Sequence, residues 1–190
     1  MYFPIFRGRQ FELLALRECV SRGILSNLII PIVEPVKVSS TYTKTVDSFI
    51  EANKAIAIIL NPQVGSWTKD LKKESNAKIR EQAIGQLKDV NVIPSFYVTP
   101  MLSACIKNAA QNGTDIESLL LLCNNPEYIG DYEEVIGDNT PLYNIIPDKG
   151  DFRRRIRLNR VMCEDHFPKQ TRNIDYLNID TEFFSSDHLY

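Results

Sequence analysis

Apolar and polar positions alternate in blocks along this chain. Short apolar runs are separated by longer segments with helical spacing. The fullest run opens the stretch LIIPIVEPVK at residues 28–37. It is apolar at nearly every position until it ends on Glu34 and Pro35. A run without alternation suits a strand buried on both faces. Comparable runs occupy residues 2–6, 55–60, 90–98, 118–123, 142–146 and 159–163. Their ends fall near Arg7, Glu34, Asn61, Tyr97, Asn124, Asp148 and Glu164, with most intervals close to 27 residues. That interval accommodates one strand plus one helix.

The intervening segments carry helix signals. Phe11, Leu14, Ala15 and Glu18 fall on one side of a first helix. Leu13, Leu16 and Val20 widen its apolar stripe, and Gly23 stands where a C-cap would. Ser39 and Ser40 are N-cap residues for a helix through Phe49 and Ile50 to about Asn53. Leu71, Ile79, Ala83, Ile84 and Leu87 give residues 67–89 one apolar stripe, with a break near Ser75 and Asn76. Thr99-Pro100 and Asn125-Pro126 pair a cap residue with a proline at the first helical position. The first opens a helix ending at Asn112-Gly113, the second a short helix over 127–136. Residues 151–158 read as a basic turn or helix. Residues 167–190 are polar with no dominant period, a long irregular C-terminal segment of what is otherwise a single domain over 1–190.

Strands alternating with helices predict an α/β fold with a parallel sheet and helices outside. A (β/α) TIM-barrel-like sheet is favoured over an open doubly wound one. No GxGxxG or Walker loop follows the first strand, and nearly every strand ends on a polar residue, as a barrel's ligand-binding rim requires. Only six or seven strands are predicted, so the barrel is expected to be incomplete, with exposed edges that favour homo-oligomers. Pro4, Pro31, Pro94 and Pro147 sit in or beside these strands, where each forfeits a ladder hydrogen bond.

With 190 residues, 44% hydrophobic and 24% charged, the chain can build one real core. A net charge of −2 provides no global pull toward nucleic acid or membrane. Cys19, Cys105, Cys123 and Cys163 form no CxxC pair and lie mostly among apolar neighbours, as reduced thiols of a cytoplasmic protein do. No signal peptide or membrane-spanning run is visible.

The opening FPIFRGRQFELLALRE, the run IIPIVEP and the later CEDHFPKQTRNIDYLNIDTEFFSSDHLY together resemble the "beta protein" family, uncharacterised proteins of bacteria and bacteriophages. The resemblance covers essentially the whole chain. It implies a role linked to phage–host conflict or mobile elements, but no catalytic residues. Relatives run on past the counterpart of residues 185–190. The resemblance therefore implies that this chain lacks a C-terminal part, including a last barrel strand.

The candidate chemistry lies at the strand ends. Arg7-Gly8-Arg9 could hold a phosphate or carboxylate, or be a solvated turn paired to acids such as Glu12. Glu34, Asp148, Glu164 and Asp165 would converge on a rim as acid–base groups or as Mg²⁺ ligands, or else cap helices and meet arginines. Glu34 is the most telling, because it ends an apolar strand. An arginine fork from Arg7 or Arg9 is its expected partner. Asn61, Tyr97 and Asn124 join the arginines as substrate-binding residues. Arg7-Gly8 followed by Glu34 is also similar to glycerophosphodiester phosphodiesterases, although Phe6 stands where their HRG motif has histidine. The run DFRRRIRLNR (Arg153, Arg154, Arg155, Arg157, Arg160) could touch a nucleic-acid backbone, but a salt-bridged face suits it better. His166 has no second histidine at ligand spacing. Two readings follow: an enzyme-like barrel acting on an anionic, phosphorylated substrate among others, or a non-catalytic protein that recognises a protein partner.

Overall fold

The computed structural model describes residues 1–163 and 171–178. Seven strands form one parallel sheet in strict chain order. They are β1 (Ile5–Phe6), β2 (Ile32–Val33), β3 (Ile56–Ile59), β4 (Val92–Tyr97), β5 (Leu120–Leu122), β6 (Tyr143–Ile146) and β7 (Arg160–Met162). Every neighbouring pair is parallel. The sheet curls into a half-barrel flanked by helices. Among the described residues no ladder joins β1 to β7. Nor is any helix of these residues long and apolar enough to cross a membrane.

Strand alternation sorts the core into layers. Phe3, Ile32, Ala57, Ile59, Ile93, Leu120, Leu122 and Ile145 fill the concave side. Val33, Ile56, Ile58 and Val92 face the opposite way, toward α1 (Gln10–Ser21), α2 (Ser40–Glu51) and α4 (Ala77–Gln86). Leu119, Leu121 and Ile146 meet α5 (Leu102–Gln111), α6 (Ile129–Ile136) and α7 (Gly150–Arg155). Both faces of the strands are thus buried, which is why they read as unbroken apolar runs. Phe3 meets Tyr143 edge-on at 4.9 Å, joining the segment ahead of β1 to β6 across the concave side.

Local signals place most of the helices. The Ser39 side chain accepts from the Tyr42 N–H at 3.3 Å and caps α2. The long segment after β3 breaks where expected, into α3 (Trp67–Asp70), a 3₁₀ turn at Glu74–Asn76, and α4. Trp67 is buried and packs on Tyr42 with ring centroids 4.6 Å apart. The Asn125 side chain accepts from the Glu127 N–H at 3.0 Å, ahead of Pro126.

Three expectations need correction. Phe11 is 82% exposed, and α1 buries Leu13, Leu16 and Val20 instead. Two overlapping stripes share helical spacing there, and contact with α2 selects one: Thr45 Oγ1 donates to the Leu13 carbonyl at 3.1 Å. The second run begins late, with Leu28 63% exposed and only a bridge between Tyr2 and Ile29 ahead of β2. Pro4 and Pro31 lack the N–H that would extend the ladder, so the regular parts of β1 and β2 shrink to two residues each. Their carbonyls still accept, from the Ile32 and Ala57 N–H groups, both at 2.8 Å. Finally, α5 starts at Leu102, two residues beyond the expected Pro100.

Two glycines let loops press together. Gly8 (φ +29°) brings the β1–α1 loop against the backbone of Glu34 and Pro35. At Gly65 (φ +80°), in the β3–α3 loop, a Cβ would run into the Val36 carbonyl. We expect Gly65→Ala to destabilise the protein by more than about 3 kcal/mol, since it combines a left-handed backbone with a backbone clash. Gly113→Ala (φ +82°, nothing within 4 Å) should cost only about 1 kcal/mol. Urea unfolding of the two variants checks the difference.

Candidate functional site

Glu34 follows β2 directly, on the concave side with Ile32, because side chains alternate along the strand. It is only 4% exposed. A carboxylate so placed must find hydrogen-bond donors. The first is the Gln63 main-chain N–H, 2.7 Å from Oε1. The second is the Tyr97 hydroxyl, 3.3 Å from Oε2. The Gln63 amide reaches Glu34 because the β3–α3 loop folds back over β2. There the Ser66 N–H donates to the Val36 carbonyl at 2.7 Å, at the position that only Gly65 allows.

Tyr97 comes from β4, two strands away from β2. Curling of the sheet brings these non-neighbours together on its concave side. Asn61 fixes the tyrosine's backbone: its Nδ2 donates to the Tyr97 carbonyl at 2.9 Å, and its Oδ1 accepts from the Tyr97 N–H at 2.8 Å. This side chain extends the β3–β4 ladder one step past the end of β3. Burial, followed by the Glu34 charge and its hydrogen bond, pushes the Tyr97 phenol up to about 12, so it stays a proton donor at neutral pH.

The other predicted residues distribute unevenly. Arg7 lies one step past the pair Phe6 and Val33, level with Glu34, and the Glu34 N–H donates to the Phe6 carbonyl at 2.8 Å. The arginine fork expected on Glu34 is nonetheless replaced by Gln63 and Tyr97. Arg7 is exposed, and its charge acts on Tyr97, whose ionised form it favours. Cys163, just past β7, acts on the same phenol in the opposite sense. Arg9 precedes α1, its main-chain N–H capped by Glu12 Oε2 at 2.9 Å. Asn124 is exposed just past β5. Asp148 ion-pairs with Arg153 of α7 and is not joined to Glu34. Glu164, Asp165 and His166 lie outside the described residues. Among the described residues no three His, Cys, Asp or Glu side chains gather as metal ligands would.

The basic run is partly neutralised. Arg154 pairs with Asp151, and Arg155 pairs with Glu133 of α6, which holds the Glu133 carboxyl below its usual range. The Gln63 amide was not foreseeable, since a main-chain N–H has no residue signature. The proline and glycine of NPQVGS marked only a loop there.

Glu34→Ala would leave the Gln63 amide and Tyr97 hydroxyl without their acceptor, and should cost about 2–4 kcal/mol in urea unfolding. Glu34→Gln keeps an acceptor for the amide and should stay within about 1 kcal/mol of the parent. A second expectation concerns alkaline pH. The Tyr97 phenol titrates near 10 when unfolded and about 12 when folded. The unfolded chain therefore gives up this proton first, and stability falls as pH rises from 10 towards 12. Tyr132, also raised to about 12 by burial, adds to that fall. Tyr97→Phe should make the decline in unfolding free energy over this range measurably shallower than in the parent.

Comparison of the chain with protein-family models, with curated proteins and with solved structures gives no match.

Proposed function

We propose that the strand-end face around Glu34 is the substrate site of an enzyme-like half-barrel that takes a small anionic molecule, phosphorylated ones included. The observation that carries this reading is the buried Glu34 carboxylate, paired to a tyrosine from a non-neighbouring strand beside the exposed Arg7. In it, Arg7 attracts the anion. Glu34 accepts a proton from the substrate, and Tyr97 is placed to return one. The 3.3 Å contact between them is long for an O–H···O bond, so a substrate hydroxyl can take either partner's place. The relationship to the "beta protein" family, with its link to phage–host conflict, belongs to the same proposal and is carried by the motifs alone.

Titration of inorganic phosphate into the isotope-labelled chain, followed by amide chemical shifts, tests the binding step. Shifts should concentrate at residues 7–9, 34–36 and 61–66, and Arg7→Ala should weaken binding about tenfold or more. Shifts confined to other regions, or binding indifferent to Arg7→Ala, would overturn the proposal. Once a substrate is found, Glu34→Gln should abolish turnover while leaving the fold intact.

A further inference from the structure

All seven strands run parallel, so the segments that lead into them gather at one end of the sheet, opposite the end that carries Glu34. Six large apolar side chains are exposed there. Met1 and Tyr2 stand ahead of β1, Leu28 ahead of β2, Val90 ahead of β4, Leu142 ahead of β6 and Leu158 ahead of β7. Direct contacts join these segments. The Tyr2 N–H donates to the Leu28 carbonyl at 2.7 Å. The Met1 sulfur accepts from the hydroxyl of Tyr143, the neighbour of Leu142, at 3.5 Å. Leu142 and Val90 share the wall of one cavity of ≈ 440 Å³. The Leu158 carbonyl accepts from Asn144 Nδ2 of β6 at 2.9 Å. Val90 is 92% exposed and Met1 71%.

The exposed parts of these six residues amount to on the order of 700 Å², more than the roughly 300–600 Å² of the largest apolar patch on a typical monomer. The figure approaches the about 800 Å² that each partner gives to a stable interface. The connections at this end carry charges of both signs, with Lys54, Lys88 and Arg157 beside Asp89, Asp115 and Glu117. A face of mixed charge exerts no pull on an anionic lipid surface or on nucleic acid. Its bases can, however, meet the acids of a copy turned about a two-fold axis. We infer that this end of the sheet docks a second copy of the chain, the two half-barrels meeting end to end. The cavity beside Val90 then receives an apolar side chain of the partner, and both Glu34 ends face outward.

Sedimentation of the full chain over a range of concentrations tests the inference. The parent should form a reversible dimer at micromolar concentration. Val90→Asp combined with Leu28→Asp sets like charges inside the apolar contact and should weaken association about a hundredfold or more. A far-UV circular dichroism spectrum like the parent's would show that the fold is kept. Amide hydrogen exchange of the parent adds a reading that needs no variant. Protection should rise with concentration at residues 1–2, 28, 88–91 and 142, and stay level at 34–36. The inference is overturned if the doubly charged variant dimerises as the parent does. It falls equally if concentration-dependent protection appears instead at Ile5 and Arg7, along the outer edge of β1. A chain that stays monomeric also overturns it, and binding of that monomer to phosphatidylcholine vesicles would mark lipid as the occupant. None of these outcomes bears on the phosphate titration at Glu34, which uses the opposite end of the sheet.

Discussion

Burying the Glu34 carboxylate takes a charge out of water, which without donors would cost several kcal/mol as an order of magnitude. The end of the sheet is arranged around that requirement. Gly8 lets the β1–α1 loop lie on the Glu34-Pro35 backbone, and Gly65 lets the β3–α3 loop fold over Val36. That second contact delivers the Gln63 amide to the carboxylate. Asn61 holds the Tyr97 backbone from just past β3, and Tyr97 provides the remaining donor. A loop amide after β3 and a side chain from β4 thus satisfy one carboxylate, with the β1–α1 loop packed on its backbone. Moving any part of this group leaves a buried polar atom unpaired, which holds its members in place.

Curvature decides who meets whom. Neighbouring parallel strands set Arg7 level with Glu34, and in a flat sheet that pair would be the natural one. In the curled sheet the concave side draws β2 toward β4, and the Glu34–Tyr97 pair forms instead. Arg7 is left exposed at the edge, where it bears on the tyrosine. The convex side has its own arrangement. There α6 and α7 meet over β6 around Asn144, and the ion pair between Arg155 and Glu133 ties the two helices together.

The repeating apolar runs and their spacing determined the strand order, the parallel class and the outer helices, because a doubly buried strand admits little besides apolar residues. Helix starts such as Ser39 and Asn125 were legible because capping is a local interaction. The ends of the apolar runs also placed Glu34, Asn61 and Tyr97 near one end of the sheet. The sequence could not determine which of two overlapping stripes α1 would bury, because packing against α2 makes that choice. It could not decide whether Asp148 would converge with the other strand-end acids or meet an arginine, because the placement of α7 beside the end of β6 makes that choice. Nor could it reveal the Gln63 amide, because main-chain donors carry no residue signature. Residue types and their period fixed the layers. The partners of buried polar atoms were decided by sheet curvature and loop approach, which depend on contacts distant in the chain.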